Sequence, residues 1–161
     1  MSTPLRIGVA GLGTVGCGTI AILERQRELL AQRCGRPLEV TAVSARARDK
    51  VRPVPIDGYR WHDDPTALAH DAEVDVVVEV IGGERGPALE LTRTALLAGK
   101  AVVTANKALL AHEGAALARL AEAHGAPLAY EAAVAGGIPI IKALRDGLAG
   151  NRARRVVGIL N

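Results

Sequence analysis

The sequence predicts an α/β protein with a doubly wound, mostly parallel sheet and helices on both of its faces. Short aliphatic, β-branched runs alternate along the chain with longer amphipathic segments, which is the pattern of strands joined by helical crossovers. A glycine-rich turn at residues 11–16 separates the first strand from the first helix. Because parallel strands need a crossover between them, this regular alternation favours a parallel sheet over hairpins.

The N-terminal half predicts two strands, a long helix, an irregular stretch and a short helix. In chain order these are the strand Leu5–Ala10, the helix Thr14–Gln32, the strand Leu38–Ser44, the irregular residues 45–61 and the helix Pro65–His70. In the long helix, apolar residues recur near helical spacing and predict its apolar face, with Thr19 on the same side: Val15, Ile22 and Leu23, Leu29 and Leu30.

The C-terminal half continues the alternation. Its predicted elements are the strand Val74–Ile81, the helix Arg85–Ala98, the strand Ala101–Thr104, the helix Lys107–His124, the strand Leu128–Glu131, the helix Ile138–Leu148 and the strand Arg155–Leu160. The last strand ends the chain without a helix to cover it, so we expect the sequence to be part of a longer protein.

The composition argues against several classes of protein. Hydrophobic residues make up 49% and charged residues 23% of the chain, as in a globular domain. The net charge is +3, and one Trp, two Tyr and no Phe leave little surface for stacking bases, so nucleic acid is not an expected partner. No apolar run approaches about 20 residues and no signal-peptide pattern is present, so no membrane partner is expected. Cys17 and Cys34 lack metal-binding spacing and predict reduced thiols in a cytoplasmic protein.

The glycine-rich turn matches the G-x-G-x-x-G pattern of dinucleotide-binding, Rossmann-type folds. It consists of Gly11, Leu12, Gly13, Thr14, Val15 and Gly16. In such a turn the first glycine allows a tight bend, the second lets a pyrophosphate approach the backbone, and the third lets the helix pack on the strand. The helix N-terminus then offers free amide groups to the phosphates. The alternative is a strand-to-helix turn that binds nothing.

The end of the second strand bears on the choice of dinucleotide. NAD-binding domains place an acidic residue there for the ribose 2′-hydroxyl. Here Ser44 is followed by Arg46 and Arg48, and the first acid is Asp49. Because a guanidinium can bind a 2′-phosphate in a bidentate manner, with the Ser44 hydroxyl as a further donor, the pattern favours NADP while leaving NAD possible. The alternative is a pair of solvated loop arginines.

Four further segments follow the turn: VVVEVIGG at residues 76–83, VVTANKA at 102–108, YEAAVAGGIPIIK at 130–142 and GILN at 158–161. Together with the glycine-rich turn, and in this order over essentially the whole chain, they resemble homoserine dehydrogenase. The resemblance implies an NAD(P)-dependent oxidoreductase of amino-acid biosynthesis that interconverts homoserine and aspartate 4-semialdehyde. It also implies that the full enzyme is a homodimer or a higher oligomer.

The resemblance implies a division of the chain. Residues 1–137 would form the NAD(P)-binding domain, and residues 138–161 the first helix and strand of a substrate-binding, dimer-forming domain. The family's substrate-binding acids and its second catalytic lysine would lie beyond Asn161. The chain alone is therefore expected to bind the cofactor without turning over homoserine.

Lys107 is the predicted catalytic residue. It follows the strand Ala101–Thr104 at the edge of the sheet where ligands bind in open α/β folds, and an ammonium group there can exchange a proton with a reacting oxygen. By resemblance, the matching lysine contacts both cofactor and substrate. Thr104, Ile81 and Gly82 are further predicted cofactor contacts, the last two towards the nicotinamide half. The alternative for Lys107 is a surface ion pair at the start of a helix.

A monovalent, sodium-like cation is a further implication of the resemblance. The matching positions are Glu131, Val134, Gly136 and Ile138, the glutamate through its carboxylate and the loop through its carbonyl oxygens. Carboxylate and carbonyl oxygens are ligands that hard cations prefer. The alternative is that the two glycines only shape a strand-to-helix turn.

Two other functions compete with the one that the resemblance implies. The first is another semialdehyde, amino-acid or sugar dehydrogenase built on the same module, against which the TANK and EAAVAGGIPII segments argue. The second is a stand-alone dinucleotide-sensing domain that regulates a partner. The reading frame beyond Asn161 distinguishes both from the leading hypothesis.

Overall fold

A computed structural model describes residues 2–158 of the chain. Six strands form one sheet in which every pair of neighbours is parallel. The strands are β1 (Leu5–Ala10), β2 (Leu38–Ser44), β3 (Arg60–His62), β4 (Val76–Glu79), β5 (Ala101–Thr104) and β6 (Leu128–Ala129). Their order across the sheet is β3-β2-β1-β4-β5-β6, the doubly wound order that the alternating pattern predicts.

The helices cover both faces of this sheet. They are α1 (Thr14–Arg25), α2 (Arg27–Cys34), α3 (Ala67–His70), α4 (Pro87–Leu97), α5 (Lys107–His124) and the single turn α6 (Ile140–Lys142), which continues as a π-helical turn (Ala143–Gly147); a 3₁₀ turn spans Glu131–Ala133. Pro87 begins α4, and Gly125 ends α5 in the left-handed conformation at φ 60°, as such residues commonly do.

The core is aliphatic and lies in two layers. Buried leucines of α4 and α5 pack with α3 on one face of the sheet, and the smaller cluster on the other face centres on Ile20 of α1. Leu91, Leu96 and Leu109 are fully buried. Each buried leucine stabilises the fold by about 1.5–3 kcal/mol relative to an exposed one, so no aromatic core is needed.

The predicted face of the first helix is wrong in part. Val15, Ile22 and Leu29 are exposed to 56%, 47% and 41%, whereas Leu23 is partly buried and packs against the cluster around Ile20. The helix α1 packs on the sheet through Gly16, Cys17 and Ile20. The spacing of the large apolar residues did not reveal that the start of α1 approaches the sheet by small residues. The predicted helix also divides at Gln26, whose φ of –107° separates α1 from α2.

The sequence missed β3, because its three residues lie at the end of a stretch rich in Pro and Gly. The strand pairs with β2 at the edge of the sheet, where its register places Arg60 opposite Ala42. Five predicted elements are shorter in the structure: α3, β4, α4, β6 and the helix after residue 138.

The predicted strand Arg155–Leu160 does not form over residues 155–158, and Ile159 and Leu160 lie outside the described residues. Val156 and Val157 are exposed to 69% and 76%. A strand needs a neighbour for its backbone hydrogen bonds, and within residues 2–158 none lies beside this segment.

Over the same residues, no helix combines the length and apolar character needed to cross a membrane.

A buried carboxylate joins the edge strand to the segment that precedes β4. The Asp71 side chain is 3% exposed and bonds to Arg60 and to His62 Nε2 (2.8 Å), and it accepts from the Glu73 amide (2.9 Å). Burial by itself raises the pKa of Asp71. The hydrogen bonds from its three partners outweigh burial and lower that pKa to about 2.

We expect Asp71→Asn to reduce the free energy of unfolding by about 1–3 kcal/mol at neutral pH, since it leaves the Arg60 guanidinium without its carboxylate. Because folding lowers the pKa of Asp71 from 3.8 to about 2, its stabilisation is present above pH 4 and is lost as the pH falls towards 2. Urea unfolding at pH 6, 4 and 2.5 measures this difference. The exposed Asp57→Asn variant is the control, and a difference between Asp71→Asn and the unmodified protein that stays constant with pH would contradict the assignment.

Candidate functional site

The candidate site lies at the carboxyl ends of β1 and β4. These two neighbouring strands are the place where the chain changes direction across the sheet, since β2 and β3 lie on one side and β5 and β6 on the other. Open α/β sheets bind ligands in the crevice outside such a switch point. The glycine-rich turn, the turn after β4 and the N-terminus of α5 all meet this edge.

The three glycines of the first turn occupy different surroundings. Gly11 has φ 100°, and a Cβ there would lie 2.5 Å from the Val80 carbonyl oxygen. A Cβ on Gly16 would overlap the carbonyl oxygen of Gly11, whereas a Cβ on Gly13 would meet no atom within 4 Å. Gly11 and Gly16 thus make the close turn and the close helix contact, and Gly13 faces open space that a phosphate can enter.

The N-terminus of α1 presents free backbone donors beside this space. Gly13 caps the helix without a side-chain hydrogen bond, and the Cys17 amide donates to the Gly13 carbonyl (2.9 Å). The amides of Thr14, Val15 and Gly16 precede that first helical bond, so they have no partner in the helix. Free amides at a helix N-terminus, together with the helix dipole, are able to bind an anion. The side chain of Leu12 is buried in the core, so only the backbone of this residue is available to a ligand at the turn.

The loop after β2 carries the predicted phosphate-binding arginines. Arg46 and Arg48 are both exposed, and the Arg48 guanidinium lies 5.9 Å from the centre of the Trp61 ring. The Ser44 side chain is buried, and its hydroxyl has no hydrogen-bond partner among the described residues. The backbone carbonyl of Ser44 accepts a hydrogen bond from the Gly11 amide (2.8 Å), which connects the end of β2 to the glycine-rich turn.

Arg52 holds this loop in shape, and the sequence did not point to it. Its guanidinium donates to the carbonyl oxygens of Arg48 (2.9 Å), Lys50 (2.8 Å) and Ala47. It also lies 5.5 Å from the centre of the Trp61 ring. The loop has no regular secondary structure, so these bonds replace a ladder or helix in ordering its backbone. A cavity of about 370 Å³ opens beside it.

The turn after β4 is anchored by Glu79, a second residue that the sequence analysis did not single out. Its buried carboxylate accepts from the amides of Ile81 (2.8 Å) and Gly82 (3.3 Å). Its other oxygen accepts from the Thr104 hydroxyl (2.6 Å). Thr104 is fully buried and its hydroxyl is bonded inside the protein, so its predicted contact with the cofactor stays a prediction.

Asn106 connects the same turn to α5. Its side-chain oxygen caps the helix by accepting from the Leu109 amide (3.1 Å), and its side-chain nitrogen donates to the Gly83 carbonyl (2.6 Å). Asn at an N-cap is among the most favourable choices. Lys107 is the next residue and the first of the helix. It is exposed, and it lies at one end of an apolar groove of about 500 Å³ between α5 and residues 130–134.

The four predicted cation positions fall within one irregular segment. Glu131 begins the 3₁₀ turn, and its two carboxylate oxygens accept from the amides of Ile141 (3.1 Å) and Lys142 (3.0 Å) at α6. The Ile138 carbonyl accepts from the Ile140 amide (2.8 Å). Across residues 2–158, no three His, Cys, Asp or Glu side chains converge on a common point. In this structure Glu131 therefore serves as a helix cap.

The sequence profile described as "Homoserine dehydrogenase, NAD binding domain" matches residues 11–131, from the glycine-rich turn to Glu131. The chain belongs to this family. The homoserine dehydrogenase of Neisseria gonorrhoeae is 45% identical over 158 residues, which are 98% of this chain and 36% of that protein. The chain therefore spans about a third of the length of the curated homoserine dehydrogenases that it matches.

Solved structures of the family share the fold. A homoserine dehydrogenase from Thiobacillus denitrificans superposes with a TM-score of 0.83 at 45% identity, covering 93% of this chain and 34% of that one. A hyperthermophilic archaeal homoserine dehydrogenase in complex with NADPH gives a TM-score of 0.73 at 26% identity and covers 92% and 50%. A nicotinamide dinucleotide is thus the cofactor class of this domain family.

The surroundings of the glycines predict that one Gly→Ala substitution affects dinucleotide binding and another affects stability. Gly13→Ala adds a methyl group in open space, so it should leave the melting temperature nearly unchanged and weaken NADPH binding. Gly16→Ala forces α1 away from Gly11 and should cost about 1–3 kcal/mol, as overpacking does. Fluorescence titration and a thermal melt measure the two effects.

Gly18→Ala is the matched control, because it adds a methyl group to the same helix without contacts within 4 Å. It should bind NADPH normally. If Gly13→Ala binds NADPH as tightly as Gly18→Ala, the phosphate does not lie over Gly13.

Proposed function

We propose that this chain is the dinucleotide-binding part of an NADP-preferring homoserine dehydrogenase. The observation that carries the proposal is the uncapped N-terminus of α1 beside the open space at Gly13, with arginines in place of an acid beyond β2. The pyrophosphate would accept hydrogen bonds from the free amides of residues 14–16. The complete enzyme would work in the cytoplasm as a homodimer or higher oligomer, and the free thiols of Cys17 and Cys34 suit a reducing compartment.

Selectivity for NADP would come from the arginine loop. A 2′-phosphate carries a charge that exposed Arg46 and Arg48 can neutralise, and a guanidinium can offer it two parallel donors. Between the end of β2 and Asp49 there is no carboxylate to hold the 2′-hydroxyl of NAD. Arg52 would add pre-organisation, because it fixes the backbone that carries Arg48 before any ligand binds.

The proposed activity is the interconversion of homoserine and aspartate 4-semialdehyde. When bound, the nicotinamide ring supplies or accepts the hydride. Lys107 would bind the substrate oxygen at the sheet edge and hold or deliver the proton that this oxygen gains or loses. Ile81 and Gly82 would contact the nicotinamide half through the turn after β4. Because the chain spans about a third of its relatives, we propose that it binds the dinucleotide but does not turn over homoserine by itself.

A monovalent cation at Glu131, Val134, Gly136 and Ile138 is part of the proposal. Each carboxylate oxygen of Glu131 already accepts one hydrogen bond from a backbone amide, but each keeps a second lone pair. The residue can therefore cap α6 and still face a cation. The fit rests on carbonyl oxygens of the loop supplying the remaining ligands, which is how hard cations are commonly held.

We expect Arg46→Asp to weaken NADPH binding about 10- to 100-fold, as the loss of one or two charged hydrogen bonds does. NADH binding should hold or improve, since the new carboxylate can accept from the 2′-hydroxyl. Calorimetric titration with both dinucleotides measures the ratio of affinities. Arg33→Asp makes the same charge change at the exposed end of α2, and should leave that ratio unchanged. Equal affinities for NADPH and NADH in the unmodified chain would show that the arginines serve only the surface.

Lys107→Ala should lower kcat of the complete enzyme by about 10²–10⁴-fold, the usual contribution of general acid–base catalysis. The melting temperature should hardly change, because the exposed lysine contributes little packing. Steady-state kinetics with both substrates varied, together with a thermal melt, separates the two effects. Arg119→Ala removes another exposed cation from α5 and is the control. A near-normal kcat in Lys107→Ala would show that this lysine has no catalytic role.

A further inference from the structure

Glu79 is a fully buried carboxylate at the edge of the sheet where the dinucleotide is proposed to bind. It is 0% exposed and ends β4. Three donors converge on it: the amides of Ile81 and Gly82 on one oxygen, and the Thr104 hydroxyl on the other. Burial of a carboxylate is costly unless such bonds compensate for the lost water, and an apolar residue of similar volume is often as stable. Stability alone therefore does not explain an acidic residue at this position.

The bonds of Glu79 determine the path of the turn that follows it. Gly82 and Gly83 both have φ 87°, in the left-handed region that glycine adopts without strain. Two glycines in succession would leave this turn free to take many conformations. The carboxylate restricts them, because both of its amide donors lie inside the turn. The turn is thus ordered in the protein itself, although Ile81 and Gly82 are exposed.

The same carboxylate acts on the start of α5 through two linked bonds. The Thr104 hydroxyl donates to Glu79 and also accepts from the Asn106 amide (3.0 Å). Asn106 in turn caps α5 and donates to the Gly83 carbonyl. The bonds close a ring that begins and ends at the turn, with Lys107 next to it in the chain. Such linked networks order their members more strongly than separate bonds do.

We propose that Glu79 is a positioning residue that pre-organises the turn after β4 and the start of α5 for the nicotinamide half of the dinucleotide. This inference rests on the proposed function, since it assumes that a nicotinamide dinucleotide binds at this edge. Glu79 touches neither substrate nor cofactor in this role; it acts through Ile81, Gly82 and Asn106. Its loss should affect the nicotinamide half of the ligand and spare the adenosine half, which the glycine-rich turn and the arginine loop would hold.

Two ligands separate these halves. The unmodified chain and Glu79→Gln are titrated with NADPH and with adenosine 2′,5′-bisphosphate, which lacks the nicotinamide. Gln offers one acceptor oxygen where Glu offers two, so either the turn amides or the Thr104 hydroxyl lose the acceptor of their hydrogen bond. We expect the Kd for NADPH to rise about tenfold, as loss of a hydrogen bond does. The Kd for adenosine 2′,5′-bisphosphate should stay within about twofold. Glu122→Gln, exposed on α5, is the control.

Equal changes for the two ligands in Glu79→Gln, or no change for either, would overturn the proposal, because a purely structural residue does not distinguish the halves. If the unmodified chain binds neither ligand, the proposed function itself fails, and Glu79 is judged by the measurement that follows.

Amide hydrogen exchange in the unmodified chain keeps the proposal testable if Glu79→Gln does not fold. Pre-organisation requires slow exchange at the Ile81 and Gly82 amides without any ligand, despite their place in an exposed turn. Exchange at the rate of an unstructured peptide would overturn the proposal, and protection that is present before NADPH is added would support it.

Discussion

Helix α1 lies so close to the end of β1 that no side chain fits between them. A Cβ on Gly16 would overlap the Gly11 carbonyl oxygen, and a Cβ on Gly11 would press on Val80 at the end of β4. This contact sets the distance of the helix from the sheet and aims its free amides at the crevice between β1 and β4. The position of these free amides at the sheet edge therefore depends on glycine at positions 11 and 16, where any side chain would push the helix away.

The loops around that crevice are ordered by single side chains rather than by secondary structure. Arg52 satisfies three carbonyl groups of the loop after β2, and Glu79 satisfies two amides of the turn after β4. Both arrangements use a charged group to satisfy backbone atoms that a ladder would otherwise pair. A scaffold of this kind holds a ligand-binding edge in one conformation and still leaves its outer surface free.

The contrast between α1 and α5 explains where sequence patterns succeeded. The predicted bounds of α5, Lys107–His124, agree with the structure, because an Asn cap and a Gly stop act locally. The bounds of β1, β2 and β5 also agree. In α1, Val15 and Ile22 are exposed, while the start of the helix packs on the sheet by Gly16 and Cys17 and its middle by Ile20. Hydrophobic periodicity reports only apolar side chains, so it does not reveal close packing at a glycine.

The sequence by itself determined the alternating fold, the glycine-rich turn, the lack of an acid between β2 and Asp49, and the family. Each of these depends on short segments whose residues are neighbours in the chain. The tertiary structure alone decided the roles of Arg52, Glu79 and Asp71. Glu79 meets Thr104 from 25 positions away, and Asp71 meets Arg60 across the gap between an edge strand and a helix. A polar side chain in a sequence has no visible partner, and whether it is solvated, buried or used to order a loop depends on which elements the fold brings beside it.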